Sequence, residues 1–220
     1  MGAYMSYSIL VVDDHALFRT GLQMILRNSS NFEIVGEAET GEEALAFLEK
    51  NKVDVVLMDI NMPGMGGIEA TRRINTLPNP PKVVAVTAMI ETPFPNKLLD
   101  AGALGYVSKN CSADDLNAAI SAAANGELYL SGDVAQSLAL GRLRDPKNTG
   151  DIEGVKKLSA REFQCMMMIV HGQGTQEISE VLELSPKTVS TYRHRLYEKI
   201  GVENDVELTH FAIRNALISL

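Results

Sequence analysis

The stretch Ser8-Ile9-Leu10-Val11-Val12-Asp13-Asp14 decides the fold. A short apolar run that ends in acids reads as a parallel strand, buried on both faces, whose carboxyl end reaches solvent. The pattern returns at Val53-Asp54-Val55-Val56-Leu57-Met58 before Asp59, at Lys82 to Val86 before Thr87, and at Tyr106-Val107-Ser108 before Lys109. Glu33 to Ala38 is a further strand. Helical periods fill the gaps. His15 to Asn28 carries Leu17, Leu22, Ile25 and Leu26 on one side. Thr40 and Glu43 form a capping box that opens a helix to about Lys50. Gly67 to Ile74, Phe94 to Asp100, and a Ser112-capped run to about Asn125 complete the set. Five strands alternating with five helices predict an α/β domain: a doubly wound, five-stranded parallel sheet covered on both faces.

Periodicity then changes. Gly126, Gly132, Gly141, Pro146, Asn148 and Gly150 break the order, and Asp145 to Gly150 reads as a flexible linker, with a short helix over Val134 to Arg144 compatible with the pattern. Past Val155 only helices follow. Ser159 with Glu162 caps one to about Val170; Gln176 to Leu182 is short; Ser185-Pro186 opens Lys187 to Ile200, stopped at Gly201; the last spans about Asp205 to Ile218. The predicted organisation is therefore residues 6–126, a linker over 127–154, and an all-α domain over 155–220.

Composition bounds the function. The 220 residues are 45% apolar and 22% charged, enough for a core in each domain. No apolar run is long enough to span a membrane, and Met1 to Ser8 is too polar for a signal peptide. Cys111 and Cys165 lie far apart, which excludes a disulfide framework and fits a reducing cytoplasm. The net charge of −8 argues against nucleic acid only until it is divided. Residues 1–130 hold 16 acids and 9 bases, whereas residues 155–220 hold 8 of each. Lys187, Arg193, Arg195 and Lys199 cluster in that last segment against one acid, Glu198, so it carries a basic stripe.

In an open parallel sheet, ligands gather at the carboxyl ends of the strands. Asp13, Asp14, Asp59, Thr87 and Lys109 all fall there. A single acid at a strand–helix junction is more often a helix cap, but five residues of these types at several junctions are hard to explain as caps. Three close carboxylates want a cation, and an oxygen-only set suits Mg²⁺. A carboxylate beside Mg²⁺, an ammonium and a hydroxyl can attack phosphorus and form an acyl phosphate. Lys109 would pair with one phosphoryl oxygen and Thr87 would hydrogen-bond another.

Val11-Val12-Asp13-Asp14-His15, Leu57 to Gly64, Val86-Thr87-Ala88 and Gly105-Tyr106-Val107-Ser108-Lys109 resemble a response-regulator receiver domain of flavodoxin-like fold over residues 7 to about 125. The resemblance implies that Asp59 accepts a phosphoryl group from a sensor histidine kinase. It implies that Asp13, Asp14, Asp59 and the Asn61 backbone carbonyl bind Mg²⁺, and that Thr87 and Tyr106 are the switch pair. Asn61 resembles the residue that positions a water for dephosphorylation in some receivers. Gly66-Gly67 stands where many receivers have Asp-Gly, a change expected to matter little, and Asn110 replaces a common Pro after Lys109.

Gln176 to Leu182, a turn at Glu183-Leu184, and Ser185 to Ile200 have helix–turn–helix spacing. Val189, Leu196 and Ile200 mark the inner face of the second helix. Lys187, Ser190, Thr191 and His194 lie elsewhere, towards the N-terminal half that enters a major groove. A plain three-helix domain with a solvated polar face would share the spacing; the basic stripe favours DNA. Leu158 to Glu162 with Ser185 to Val189 resembles the LuxR-type helix–turn–helix of the NarL/FixJ regulators over about Val155 to Ala216. That resemblance places Ser190, Thr191 and His194 at base-reading positions and Lys187, Thr188, Arg195 and Lys199 at phosphates. Arg193 stands where the family usually has an apolar residue, which predicts a phosphate contact or a salt bridge. Asp205 to Ala212 resembles the family's dimer-forming last helix.

Met62 to Arg72, Leu184 to Arg193 and Val206 to His210 are similar to the GacA/UvrY-type regulators. This implies a hybrid sensor kinase of the GacS/BarA kind as phosphodonor, a homodimer on phosphorylation, and double-stranded promoter DNA of small regulatory RNAs as target. The expected function is a phosphorylation-dependent transcriptional regulator with no membrane partner, not an enzyme turning over external substrate. A haloacid-dehalogenase-type phosphatase needs an acid two residues after its nucleophile, where Asn61 stands. The alternative is a phosphorylation-independent DNA binder whose receiver only dimerises.

Overall fold

The computed structural model describes residues 6–27, 29, 31–88, 94–144, 153–215 and 217–218. Strands β1 (Tyr7–Val12), β2 (Phe32–Ala38), β3 (Val55–Met58), β4 (Lys82–Thr87) and β5 (Gly105–Ser108) alternate with helices α1 (Ala16–Arg27), α2 (Gly41–Leu48), α3 (Gly67–Ile74), α4 (Phe94–Asp100) and α5 (Ala113–Ala124). All strand pairs are parallel, in the order β2-β1-β3-β4-β5. Successive strand residues point to opposite faces. Ile9, Val11, Val55, Leu57, Val84 and Val86 therefore pack with Leu22, Leu26, Leu116 and Ile120 on one side. Leu10, Val12, Val56, Met58 and Val83 pack with Ala44, Met62, Ala70 and Ile74 on the other.

The sheet has six strands, not five. A two-residue strand β6 (Tyr129–Leu130) adds to β5. Gly126, with a φ of +80°, turns the chain back after α5, and the amides of Tyr129 and Ser131 donate to the Leu104 and Tyr106 carbonyls. Two residues carry no periodic signal, so the strand is invisible in sequence. Helix α6 (Gly132–Arg144) follows at once. The span read as a linker is thus ordered over most of its first half, and the predicted flexible run Asp145 to Gly150 lies outside the described residues. Two compact units divide the chain near Ala135 and Gln136, with Phe94 to Asn96 grouped in the second.

The second unit holds α7 (Glu153–Lys156), α8 (Ala160–Val170), α9 (Thr175–Val181), α10 (Pro186–Ile200) and α11 (Asp205–Arg214). Its core joins Phe163, Met166, Ile178, Leu182, Val189, Leu196, Leu208 and Ala212, all fully buried. The Ser159–Glu162 capping box forms in both directions, and Gly201 ends α10 in the left-handed conformation at φ +80°. At Thr40 only half of the predicted box forms: the hydroxyl accepts from the Glu43 amide, while the Glu43 carboxylate reaches the Glu39 amide instead.

Two further expectations are corrected. Leu17 is 87% exposed and not on the inner face of α1. Five residues separate it from Leu22, which is about 140° around a helix, so Phe18 packs there instead. The last helix stops at Arg214, four residues early, where Asn215 caps it.

Candidate functional site

Backbone pairing assembles the first site before any side chain is considered. The Asp59 amide donates to the Val12 carbonyl at 2.8 Å and the Lys109 amide to the Thr87 carbonyl at 2.8 Å. The chain crosses from β1 to β2 on one side and to β3 on the other, so these ends flank the point where the winding reverses. Asp13, Asp14, Asp59, Thr87 and Lys109 all arrive there, as their strand-end positions predict.

The side chains close the arrangement. Asp13 and Asp59 are 2% and 3% exposed. Lys109 Nζ lies 2.6 Å from Asp13 Oδ2 and 2.9 Å from Asp59 Oδ2, and sits 4.6 Å above the Phe18 ring. Asp59 Oδ1 accepts from the Ile60 amide at 2.7 Å. Burial pushes the Asp59 carboxyl above its ordinary range, and the Asp13 carboxylate adds to this, against the opposing pull of Lys109. Burial works against the Lys109 ammonium, but Asp59 and Asp13 hold its pKa above the usual lysine value.

Ligand atoms of Asp13, Asp14, His15 and Asp59 lie within 4.8 Å of one another. Two buried oxygens, Asp13 Oδ2 and Asp14 Oδ1, accept no well-formed hydrogen bond; the first lies 2.6 Å from Lys109 Nζ and the second 2.8 Å from the His15 ring. Buried carboxylate oxygens with spare acceptor capacity suit a ligand. Three carboxylates against one ammonium leave two negative charges, which a hard divalent cation matches. The donor set therefore fits Mg²⁺. His15, given no role by sequence reasoning, donates its amide to Asp13 Oδ1 at 2.9 Å and sets its ring 2.8 Å from Asp14.

The loop after Asp59 is tight. A Cβ on Gly67 would stand 1.9 Å from the Asp59 carbonyl oxygen, so only glycine lets α3 begin so close to the acceptor. Gly66, expected to be a neutral replacement, has φ +72° and ψ 156°, a backbone that glycine alone adopts readily. Thr87 and Tyr106 are both buried, on adjacent strands, with Tyr106 opposite Ala85 in the β4–β5 register. Asn61 is half-buried, two residues beyond Asp59.

The second site is α10. The Ser185 hydroxyl accepts from the Thr188 amide at 3.1 Å and meets the Thr188 hydroxyl at 2.8 Å. Lys187, Ser190, Thr191, His194 and Arg195 are exposed. The Ser190 and Thr191 hydroxyls donate to the Pro186 and Lys187 carbonyls one turn back, which leaves their lone pairs outward. His194 faces Glu198 at 3.4 Å.

Two members of the predicted basic stripe are occupied within the unit. Lys199, expected at a phosphate, donates to Glu162 at 2.6 Å; that carboxylate is 4% exposed and needs a counter-charge. Burial would raise the Glu162 pKa, but the bond to Lys199 and those to Ser159 hold it below the ordinary range. Arg193 makes the salt bridge rather than the phosphate contact: it pairs with Asp205 and donates to Thr175 at 2.9 Å, and Tyr197 donates to the same Asp205.

Comparison with known proteins agrees with this division. Residues 9–121 match the response regulator receiver domain, and residues 156–212 match the bacterial regulatory proteins of the luxR family. The chain is 44% identical to the response regulator UvrY of Escherichia coli K12 over 96% of its own length and 95% of the relative's. It is 45% identical to the response regulator GacA of Pseudomonas viridiflava over 96% and 97%. Among solved structures, RcsB of Salmonella enterica serovar Typhimurium, bound to promoter rprA with the phosphomimetic BeF3-, is similar with a TM-score of 0.61 and 25% identity, over 94% of this chain and 98% of that one.

Proposed function

Because the chain belongs to the two-component response regulators that join a receiver to a LuxR-type DNA-binding domain, we propose that phosphorylation of Asp59 switches promoter binding by α10. Proteins of this composition are regulators rather than turnover enzymes. The observation that carries the reading is the buried Asp59 carboxylate, bonded to Lys109 and gathered with Asp13 and Asp14 at the strand ends.

Asp59 attacks phosphorus in line with the leaving group of the donor. The Asp59 oxygen–phosphorus bond forms as the donor's phosphorus–nitrogen bond breaks, and the electron pair returns to the donor's imidazole. Lys109 stays with the arriving charge by moving from the carboxylate to a phosphoryl oxygen, and the Thr87 hydroxyl donates to another. Asp13, Asp14, Asp59 and the Asn61 carbonyl would hold Mg²⁺, which supplies neutralisation of phosphoryl charge. Thr87 moving towards the phosphoryl group and Tyr106 repacking behind it then alter the neighbouring surface.

The change frees the helix–turn–helix domain to dimerise, with α11 as the pairing helix, and to place α10 in the major groove of a two-fold site. Ser190, Thr191 and His194 face the bases; Lys187, Thr188 and Arg195 face phosphates. Lys199 leaves that set because Glu162 holds it. The likeness to GacA and UvrY supports a hybrid sensor kinase of the GacS/BarA type as donor and small-RNA promoters as targets. Intact-mass spectrometry after incubation with acetyl phosphate or phosphoramidate tests the first step. A single phosphoryl adduct that needs Mg²⁺ and is absent from Asp59→Asn is expected; an adduct that persists in that variant would refute the assignment.

A further inference from the structure

Arg19 is a buried cation outside the phosphoryl-transfer steps, with its side chain 10% exposed. A buried guanidinium normally has a partner for each edge of its fork. Here Nε donates to Glu37 Oε2 at 3.0 Å, one terminal nitrogen to Glu39 Oε1 at 2.5 Å, and the other to the Asp13 carbonyl oxygen at 2.6 Å. The two glutamates lie at the end of β2, where the Ala38 carbonyl also accepts from the Asp13 amide at 3.1 Å. Asp13 is therefore fixed to the β2 end on both sides, directly through its N–H and through Arg19 at its C=O.

That second bond matters for the acids. The Asp13 carbonyl belongs to the peptide plane that joins Asp13 to Asp14. A planar peptide cannot swivel while its oxygen is held, so Arg19 sets the direction in which Asp14 leaves β1. Three carboxylates that repel one another would otherwise spread the β1–α1 turn. Arg19 does not act as their counter-charge, because Glu37 and Glu39 already match it.

We infer that Arg19 is a positioning residue for divalent-cation binding, holding Asp13 and Asp14 in the geometry of an occupied site. The inference rests on the reading of those two acids as Mg²⁺ ligands. Groups that orient metal ligands from behind typically affect affinity by about 10–100-fold. Arg19→Lys keeps the charge and loses the three-way fork. Glu39→Gln weakens the clamp from its exposed end and spares the core, so it decides the matter should Arg19→Lys fail to fold.

The test is the thermal midpoint of the full chain titrated with MgCl₂ in the absence of any phosphodonor. Wild type should gain stability with Mg²⁺. The Mg²⁺ concentration at half-effect should rise by about tenfold or more in Arg19→Lys and by less in Glu39→Gln. A purely structural staple would lower the metal-free midpoint and leave the half-effect concentration at the wild-type value in both variants; that result overturns the inference while leaving the metal site standing. A wild type with no response to Mg²⁺ overturns the metal-site reading and this inference with it.

Discussion

Asp59 pays for its reactivity in stability. Its carboxyl is pushed above the ordinary range by burial and by Asp13. At neutral pH the metal-free native state thus holds a charge that the unfolded chain carries more easily. That cost is relieved as pH falls through the raised pKa, where the folded protein takes up the proton first. Asp59→Asn should therefore raise the metal-free thermal midpoint at neutral pH. The gap should narrow on acidification, and Mg²⁺ should narrow it by stabilising wild type more than the variant. Thermal unfolding at several pH values, with and without Mg²⁺, checks all three. Asp13, Asp14, Asp59, Thr87 and Lys109 were legible as a cluster because strand ends converge whatever the side chains are. His15 and Arg19 were not. A polar residue near a helix start reads as solvated, and nothing in spacing shows that α1 turns Arg19 onto the Asp13 carbonyl.

At the scale of elements, the strands and most helices were legible because buried parallel strands and capped helices leave strong local patterns. β6 was not, since two residues have no period. The basic stripe of α10 was legible as charge but not as use: Lys187 and Lys199 look alike in sequence, and only the buried Glu162 carboxylate separates them. Lys199→Ala should cost about 1–2 kcal/mol, reduced from a fully buried pair by the partial exposure of the lysine. Glu162 contributes stability above the ordinary carboxylate range and loses it as pH falls through its lowered pKa, so Lys199→Ala should be less sensitive in that acid window. Lys187→Ala should leave the thermal midpoint unchanged and weaken DNA binding. Calorimetry paired with DNA titration separates the two lysines. The turn between α9 and α10 carries a different cost. Glu183 has φ +52°, which strains any residue with a Cβ. Glu183→Gly should stabilise the helical unit by about 1 kcal/mol, read as a higher denaturant midpoint with an unchanged slope.

For the whole molecule, charge is divided by task. The excess of acids lies in residues 1–130, residues 155–220 balance 8 acids with 8 bases, and two of the clustered bases there are held internally. With Lys187 and Arg195 as the phosphate-facing cations of α10, a dimer would neutralise about four phosphates through these residues, so log affinity should fall with log salt at a slope of about −4. With so shallow an electrostatic term, one copy would bind weakly and affinity would depend on pairing. The measurement that tests this most directly is the anisotropy of fluorescent promoter DNA titrated with full-length protein, with and without beryllofluoride and Mg²⁺, for wild type and Asp59→Asn. Wild type should bind at least about tenfold more tightly when beryllofluoride is present, and Asp59→Asn should show no such gain. Equal affinity for both proteins under both conditions would contradict the switch and leave a DNA-binding protein whose receiver serves only to pair the chains.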